Sequence, residues 1–197
     1  MKSQSLGLAV VVTLALGLAA AAQDAPARPA TPAQRTQAQQ NRIANGVKSG
    51  ELTAGETKRL ERREAAINGE KRDMREDNGG KLSAADRARL NRQSNGLSRS
   101  IARDKHNAAT ARFGNGRIGR RRENQQDRLA QGIKSGSLTP GEASRLESRQ
   151  QRLNRQTRDM REDQGGHLSA AQKRAVNRRQ NRASRQIYRA KHNRRRR

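Results

Sequence analysis

A tandem repeat is the feature of this 197-residue sequence that most constrains how the chain can fold. Residues 39–107 align without a gap to residues 125–193, and 39 of the 69 aligned positions are identical. The longest identical block, Arg-Asp-Met-Arg-Glu-Asp, stands at 72–77 and again at 158–163. Self-similarity at a fixed spacing indicates a repeated structural unit, so both copies are expected to adopt the same fold.

Within each copy, a short motif predicts where helices begin. The motif is a Leu followed by Ser or Thr, with an acid or an amide three residues after the hydroxyl residue. It stands at 52–56, 82–86, 138–142 and 168–172, and Thr31 and Gln34 repeat the spacing. The hydroxyl caps an early backbone N–H and the later side chain reaches back, which forms a capping box. The sequence therefore predicts an all-α fold of two tandem three-helix units. The expected helices span about 32–47, 54–77, 84–110, 120–134, 140–163 and 170–193.

The N-terminus has the pattern of a secretory signal peptide. Lys2 provides the positive start, residues 6–18 are apolar, and the small residues Ala20-Ala21-Ala22 form a cleavage site before Gln23. We expect cleavage after Ala22 and export to the periplasm or the extracellular space. The predicted organisation is a signal peptide (1–22), a Pro/Ala-rich spacer (23–38), helical repeat 1 (39–107), a Gly/Arg-rich hinge (108–123), helical repeat 2 (124–193) and a polybasic tail (194–197).

The predicted core is small. Only 22 Leu, Ile, Val, Met, Phe and Tyr residues stand beyond Ala22, and a chain with few such residues and high net charge resembles a disordered one. Against disorder, Leu60, Ile67 and Met74 are spaced seven residues apart, and their counterparts in the second copy keep that spacing. Such stripes can pack on neighbouring helices. The expectation is a marginal core with partly disordered termini, completed by a homodimer or a ligand.

Charge gives the main functional expectation. Lys and Arg total 44 against 18 Asp and Glu, for a net charge of +26, and residues 170–197 contain no acid. Guanidinium groups bind phosphates and carboxylates in a bidentate manner, so the predicted partners are nucleic acid, lipopolysaccharide or anionic lipid, bound without base-specific readout. The alternative is a solvated charged face. The predicted polyanion-binding residues are Lys173, Arg174, Arg178, Arg179, Arg182, Arg185, Arg189, Lys191, Arg194, Arg195, Arg196 and Arg197.

Catalysis is not expected. The chain has no Cys and three His residues, and it has no phosphate-binding loop or nucleophile–base set. We therefore predict no enzyme activity and no cofactor. Carboxylates spaced three and four residues apart could alternatively hold a hard cation, although ion pairs with the flanking arginines account for the same pattern. The carboxylates of that alternative are Asp73, Glu76, Asp77, Asp86, Asp159, Glu162 and Asp163.

Residues 77–86 and 163–172 resemble the second half of an EF-hand loop. Gly80, Leu82 and Asp86 match the glycine, the aliphatic residue and the final acid of that family's loop. The resemblance implies paired helix–loop–helix units whose Ca²⁺ ligation has decayed, because Arg75 and Arg161 occupy the first ligand position. We predict that neither copy binds Ca²⁺.

Two further resemblances concern exported proteins. The Gly-x-Leu-Thr-x-x-Glu turn and the Ile-Tyr-Arg-Ala-Lys-His segment at 187–192 resemble an uncharacterised group of exported bacterial helical-repeat proteins, and no activity comes with that resemblance. The Leu-Ser-Ala-Ala-Gln segment at 168–172 is similar to the Leu-Thr-x-x-Gln motif of Spy-type periplasmic chaperones. That likeness implies a small, helical, dimeric protein with a basic concave face and unfolded-protein clients.

Overall fold

The computed structural model describes residues 31–193, which form six helices and no strand. The all-α prediction is confirmed. The predicted signal peptide, the first half of the predicted spacer (23–30) and the polybasic tail lie outside the described residues, and the second half of the spacer belongs to α1 from Pro32 onward. The helices are α1 (Pro32–Ser49), α2 (Ala54–Asp77), α3 (Ala84–Lys105), α4 (Arg117–Ser135), α5 (Pro140–Glu162) and α6 (Ala170–Lys191).

Capping boxes start every helix except α4. In α2, the Thr53 side chain accepts from the Glu56 backbone N–H at 3.3 Å, and Glu56 Oε2 accepts from the Thr53 backbone N–H at 2.9 Å. The same reciprocal pair stands at the starts of α1, α3, α5 and α6. Gly116 precedes α4 and gives it no side-chain cap. The motif identified in the sequence therefore sets five of the six helix starts among the described residues.

The first two helices of each copy pack most extensively on their own counterparts in the other copy. The largest contact joins α2 to α5, the next joins α1 to α4, and α3 and α6 pack against the other two helices of their own copies. Fourteen buried residues from both copies form a single hydrophobic cluster, in which Ile43 and Leu129, or Ile101 and Ile187, occupy equivalent positions. The structure thus does not confirm two separate three-helix units, because the copies share one core.

Fully buried polar side chains accompany this core. Glu61 and Glu147 occupy equivalent positions in α2 and α5, and both are completely buried. Gln126 Nε2 donates to Glu147 Oε2 at 3.2 Å, and Gln125 Nε2 donates to the Gln180 carbonyl at 2.8 Å. Hydrogen bonds between helices therefore join residues that are far apart in the sequence.

The segment between the copies is held to the first one. Asn107 Nδ2 donates to Glu56 Oε1 at 2.6 Å, and the Ala111 backbone N–H donates to the Gly50 carbonyl at 2.8 Å. These bonds draw the chain back along the first copy, so α3 ends at Lys105 rather than near residue 110. The next helix, α4, was expected to begin near residue 120. It begins at Arg117, inside the predicted hinge 108–123, with Gly116 as its N-cap residue.

Candidate polyanion-binding surface

The two equivalent helices α3 and α6 differ sharply in charge. Helix α6 carries eight basic residues and no acidic one, whereas α3 carries six basic residues and two acidic ones, Asp86 and Asp104. At the positions of those two acids, α6 has Gln172 and Ala190. Since both helices hold the same place in their copies, the fold itself does not require this excess of charge on α6.

The exposed arginines of α6 share one face. Val176, Ala183 and Ile187 are buried and point toward the core. With 3.6 residues per turn, the opposite face carries the five exposed arginines at 174, 178, 182, 185 and 189. These five predicted residues therefore form a continuous positive surface, which we call the α6 basic face. Lys173 is also exposed, at the helix start, but on another side of the helix.

The remaining predicted residues have other positions. Arg179 is half-buried and donates to Gln156 Oε1 of α5 at 3.1 Å, and Lys191 is half-buried and donates to Gln131 Oε1 of α4 at 2.9 Å. These two side chains fasten α6 to its neighbours. The four terminal residues Arg194, Arg195, Arg196 and Arg197 lie outside the described residues.

Ion pairs neutralise the first copy more than the second. Of the four ion pairs within 4.0 Å in the described residues, three lie in the first copy. They are Arg59–Asp104, Arg89–Glu70 and Lys105–Glu51. In the second copy, Ala190, Gln156 and Ser137 occupy the positions of those three acids. The α6 basic face therefore has no ion-pair partner within the described part of the chain.

A groove beside α6 extends the positive surface. It has a volume of about 280 Å³ and is lined by Asn124, Gln125, Ser184 and four arginines of α4. Those arginines are Arg117, Arg120, Arg121 and Arg128. Arg121 Nη1 donates to Asn181 Oδ1 of α6 at 2.9 Å, which places the α4 arginines beside the α6 basic face. Two of these four positions are Thr31 and Gln34 in the first copy, so the groove is a property of the second copy.

No pattern in the sequence predicted this α4 groove directly. The available signal was the run Arg120-Arg121-Arg122, which precedes the second copy within the predicted hinge. The first two of these side chains line the groove, and Arg122 lies over the Phe113 ring at 5.7 Å. Burial, and to a lesser degree the nearby Arg161, lowers the pKa of the Arg122 guanidinium. Positive charge is thus crowded around the start of α4, where the helix dipole is also positive.

Comparisons with known proteins found no relative of this chain. It matches no protein-family model, and no curated protein or solved structure is significantly similar to it. Within residues 31–193, no helix is both long enough and apolar enough to cross a membrane.

The carboxylates of the cation alternative do not converge. Asp86 belongs to the capping box of α3, where it accepts from the Ser83 backbone N–H at 2.9 Å and from the Ser83 hydroxyl at 2.6 Å. That hydroxyl bond is the main reason that the pKa of Asp86 is lowered. Asp73, Asp77, Asp159 and the acids that flank them are exposed, and the described residues contain no group of three or more ligands that could hold a metal ion.

The loops that resemble half an EF-hand are helix ends. The Gly80 backbone N–H donates to the Arg75 carbonyl at 2.7 Å, and Gly166 makes the same bond to Arg161. Gly80 has a φ of 87° and Gly166 a φ of 91°. A bond that spans five residues, closed by a glycine with positive φ, is the Schellman motif that ends helices. Helix capping therefore accounts for both loops.

Proposed function

We propose that this chain is a non-catalytic polycationic protein that binds anionic polymers or surfaces through the second copy. The observation that carries the proposal is the α6 basic face, with five exposed arginines and no ion-pair partner in the described residues, beside the arginine groove of α4. An isolated charge run is usually a solvated face. Here the equivalent helix α3 holds the same structural place with acids interspersed, so solvation alone does not account for the composition of α6.

The chemistry of the surface favours phosphate-rich or carboxylate-rich polymers over a single small anion. Five arginines along α6 extend over 15 residues, or about 22 Å at 1.5 Å per residue. Guanidinium groups at that spacing can contact successive charges of one polymer. No described feature reads base edges, so binding is expected to be independent of sequence and sensitive to salt.

Duplex DNA is the most convenient probe of this proposal. If the protein contacts six to ten phosphates, its affinity should fall roughly 10³–10⁵-fold between 50 and 200 mM salt. The triple variant R178Q/R185Q/R189Q removes three charges from the α6 basic face. We expect it to flatten the slope of log K against log salt by about 2–3, at about 0.9 per lost phosphate contact. Fluorescence anisotropy at four salt concentrations measures the slope.

The repeat provides a matched control. R92Q/R99Q/R103Q removes three exposed arginines from the equivalent positions of α3, with the same loss of net charge. We expect this variant to change the slope by less than about 1, because it leaves the surface that makes the phosphate contacts intact. Equal effects of the two triples would show that only net charge matters, and binding that ignores salt would refute the proposal outright.

We also propose that the chain is exported, with a signal peptide removed after Ala22. The support is the sequence pattern of the first 22 residues, which lie outside the described part of the chain. Export would bring the basic surface to cell-surface anions such as lipopolysaccharide and anionic lipid. N-terminal sequencing of the protein recovered from outside the cytoplasm should begin at Gln23. An intact Met1 on that protein would contradict cleavage.

A chaperone that shields unfolded chains remains the alternative proposal. Such a protein needs apolar surface for its clients. Among the described residues, Tyr188 is the one large hydrophobic side chain with high exposure, at 63%, and its ring stacks on His192 at 4.1 Å between centroids. No described feature therefore favours the chaperone over polyanion binding.

A further inference from the structure

A cavity in the first copy differs in chemistry from the basic surface of the second. It has a volume of about 490 Å³ and lies between the start of α1, the second half of α2 and the start of α3. Ile67, Leu82 and Leu90 line it and are only half-buried. Its volume lies within the range of small-molecule binding sites, which are concave and largely apolar.

The equivalent apolar residues of the second copy are covered. Leu153, Leu168 and Val176 correspond to the three lining residues, and their exposures are only 6%, 7% and 0%. The same sequence pattern in the same fold thus buries these side chains in one copy and leaves them accessible in the other. Apolar surface exposed to water costs about 25 cal/mol per Å² of free energy. A ligand that covers this surface would therefore stabilise the complex.

The two copies also differ in side-chain size at two positions of the cavity lining. Pro32 and Thr36 line the cavity, and the larger Ile118 and Arg122 stand at their positions in the second copy. Arg122 in turn lies over Phe113, whose counterpart in the sequence is Ala27. The first copy therefore lacks the large side chains that the second copy has at these positions.

A close backbone crossing accompanies the closed arrangement of the second copy. The backbone at Phe113 and Gly114 passes so close to Gly119 that a Cβ there would collide with both residues. The first copy has Ala33 at the position of Gly119, so the two copies differ in side chain at the site of this crossing.

The charges around the cavity select the kind of ligand. Four basic residues and one acidic residue, Glu64, line it. The basic residues are Arg35, Lys71, Arg75 and Arg87. Glu64 is buried, whereas the four cations are partly or fully exposed. Neither Lys71 nor Arg75 has an ion-pair partner within 4.0 Å in the described residues, so both can meet a ligand's charge at the mouth of the cavity.

We propose that this cavity binds the alkyl chain of a single-chain amphiphile and holds its anionic headgroup at the cationic mouth. The apolar wall of Ile67, Leu82 and Leu90 takes the alkyl chain, and Lys71 and Arg75 face the headgroup. A fatty-acid carboxylate and the headgroup of a membrane lipid share this chemistry. The site is separate from the α6 basic face, which belongs to the other copy.

Dodecanoate below its micellar concentration is the probe, and calorimetry on the purified chain is the measurement. We expect one molecule to bind per chain, and we expect dodecyltrimethylammonium, which has the same tail and a cationic head, not to bind. The variant P32I/T36R copies the second-copy residues into the first. It should weaken dodecanoate binding at least about tenfold, or about 1.4 kcal/mol, with unchanged helix content by circular dichroism.

This variant separates a cavity from simple charge attraction. P32I/T36R adds a positive charge, so attraction of the surfactant to a polycation would leave binding unchanged or strengthen it. A matched pair tests the headgroup contact: R75Q should weaken binding severalfold, whereas R161Q, at the equivalent exposed position of the second copy, should not. Undiminished binding by P32I/T36R, equal effects of the matched pair, or binding of the cationic surfactant would each overturn the proposal.

Competition distinguishes the two sources of the ligand. The competition uses the R178Q/R185Q/R189Q variant, because the α6 basic face would itself hold the wild type on an anionic vesicle. If dodecanoate displaces this variant from phosphatidylglycerol vesicles, a membrane acyl chain is the occupant. If dodecanoate binds without affecting the vesicle-bound variant, or the variant does not bind the vesicles, the occupant is a free fatty acid. The triple R178Q/R185Q/R189Q should retain dodecanoate binding, so failure of the polyanion proposal and failure of this one are distinguishable.

Discussion

Glu147 is the most unusual single residue of the molecule. Its side chain is completely buried, and one of its carboxyl oxygens accepts from Gln126 while the other, Oε1, has no hydrogen-bond partner in the described residues. Burial raises the pKa of Glu147 to about 8, and the Gln126 hydrogen bond only partly opposes this. A carboxyl group in an apolar surrounding favours its neutral form, so Glu147 keeps its proton at neutral pH in the folded protein.

This shift predicts that stability depends on pH. Between the ordinary pKa of 4.5 and the folded pKa of about 8, the folded state holds a proton that the unfolded state has released. The free energy of unfolding therefore falls as pH rises through this window, and the contribution is lost above it. Glu147→Gln mimics the neutral form, so we expect it to raise stability at pH 8, to change little at pH 4, and to flatten the pH profile. Urea titrations followed by circular dichroism at both pH values test this, and an equal gain at both would contradict it.

Gly132 is a second position with a specific requirement. A Cβ there would lie 2.6 Å from Leu138 Cδ1 and 2.7 Å from Leu138 Cγ, and Leu138 is fully buried. We expect Gly132→Ala to destabilise the protein by about 1–3 kcal/mol, the range for an overpacked core. Thermal unfolding measures the change.

The control for this substitution is Gly141→Ala. A Cβ at Gly141, in the first turn of α5, would have nothing within 4 Å. Alanine favours helix by up to about 1 kcal/mol over glycine, so this variant should be neutral or stabilised. A gain in stability by Gly132→Ala would show that Leu138 moves aside at no cost.

Some buried residues could be predicted from the sequence and others could not. The stripe positions Leu60, Leu146 and Leu153 are buried as expected, since helical periodicity places them on one face. Ile67 and Met74 of the same pattern are only half-buried. Gln125, Gln180 and Glu147 are also buried, although these residue types are normally exposed. Their hydrogen-bond partners lie more than 20 residues away in the chain, so no local pattern reveals them.

At the scale of single helices, capping is the decisive local interaction. Thr139 accepts from the Glu142 backbone N–H at 3.3 Å, and its hydroxyl donates to Glu142 Oε2 at 2.9 Å. Thr139→Ala removes both bonds and should lower the free energy of unfolding by about 1 kcal/mol. Thr110→Ala, in the exposed segment between the copies, is the control and should change stability by less than about 0.5 kcal/mol. Chemical denaturation of both variants measures the two changes in the free energy of unfolding, and equal changes would contradict a capping role.

Helix starts were predicted better than helix ends. The five capping boxes fix their helix starts through bonds between residues three apart, which is why the sequence was sufficient there. The end of α3 depends instead on Asn107, which bonds to Glu56 fifty-one residues earlier. The arginine groove was missed for a related reason, since it requires α4 and α6 to lie side by side.

For the molecule as a whole, the shared core predicts cooperative unfolding. Leu60 belongs to the first copy and is 2% exposed in the cluster that both copies build. Leu60→Ala should cost about 2–5 kcal/mol. Tyr188 stands in the second copy and is the only tyrosine of the chain, so its spectrum reports on that copy alone, whereas far-ultraviolet circular dichroism reports on all helices.

If the copies unfold together, Leu60→Ala will shift the tyrosine and helix transitions to the same lower denaturant concentration. A tyrosine transition that stays in place while the helix signal becomes biphasic would show that the copies are independently stable. Thr110→Ala, which touches neither cluster nor cap, should leave both transitions where they are in the wild type.

The pairing of α1 with α4 and of α2 with α5 has an evolutionary consequence. Each of these four helices meets its own counterpart, which is the contact pattern of a two-fold symmetric dimer. A single-copy ancestor would have assembled from two identical chains, and every substitution would then have appeared in both halves. Fusion into one chain removes that constraint. One half could lose its acids and become a cationic surface while the other kept them, and one half could fill a cavity that the other left open.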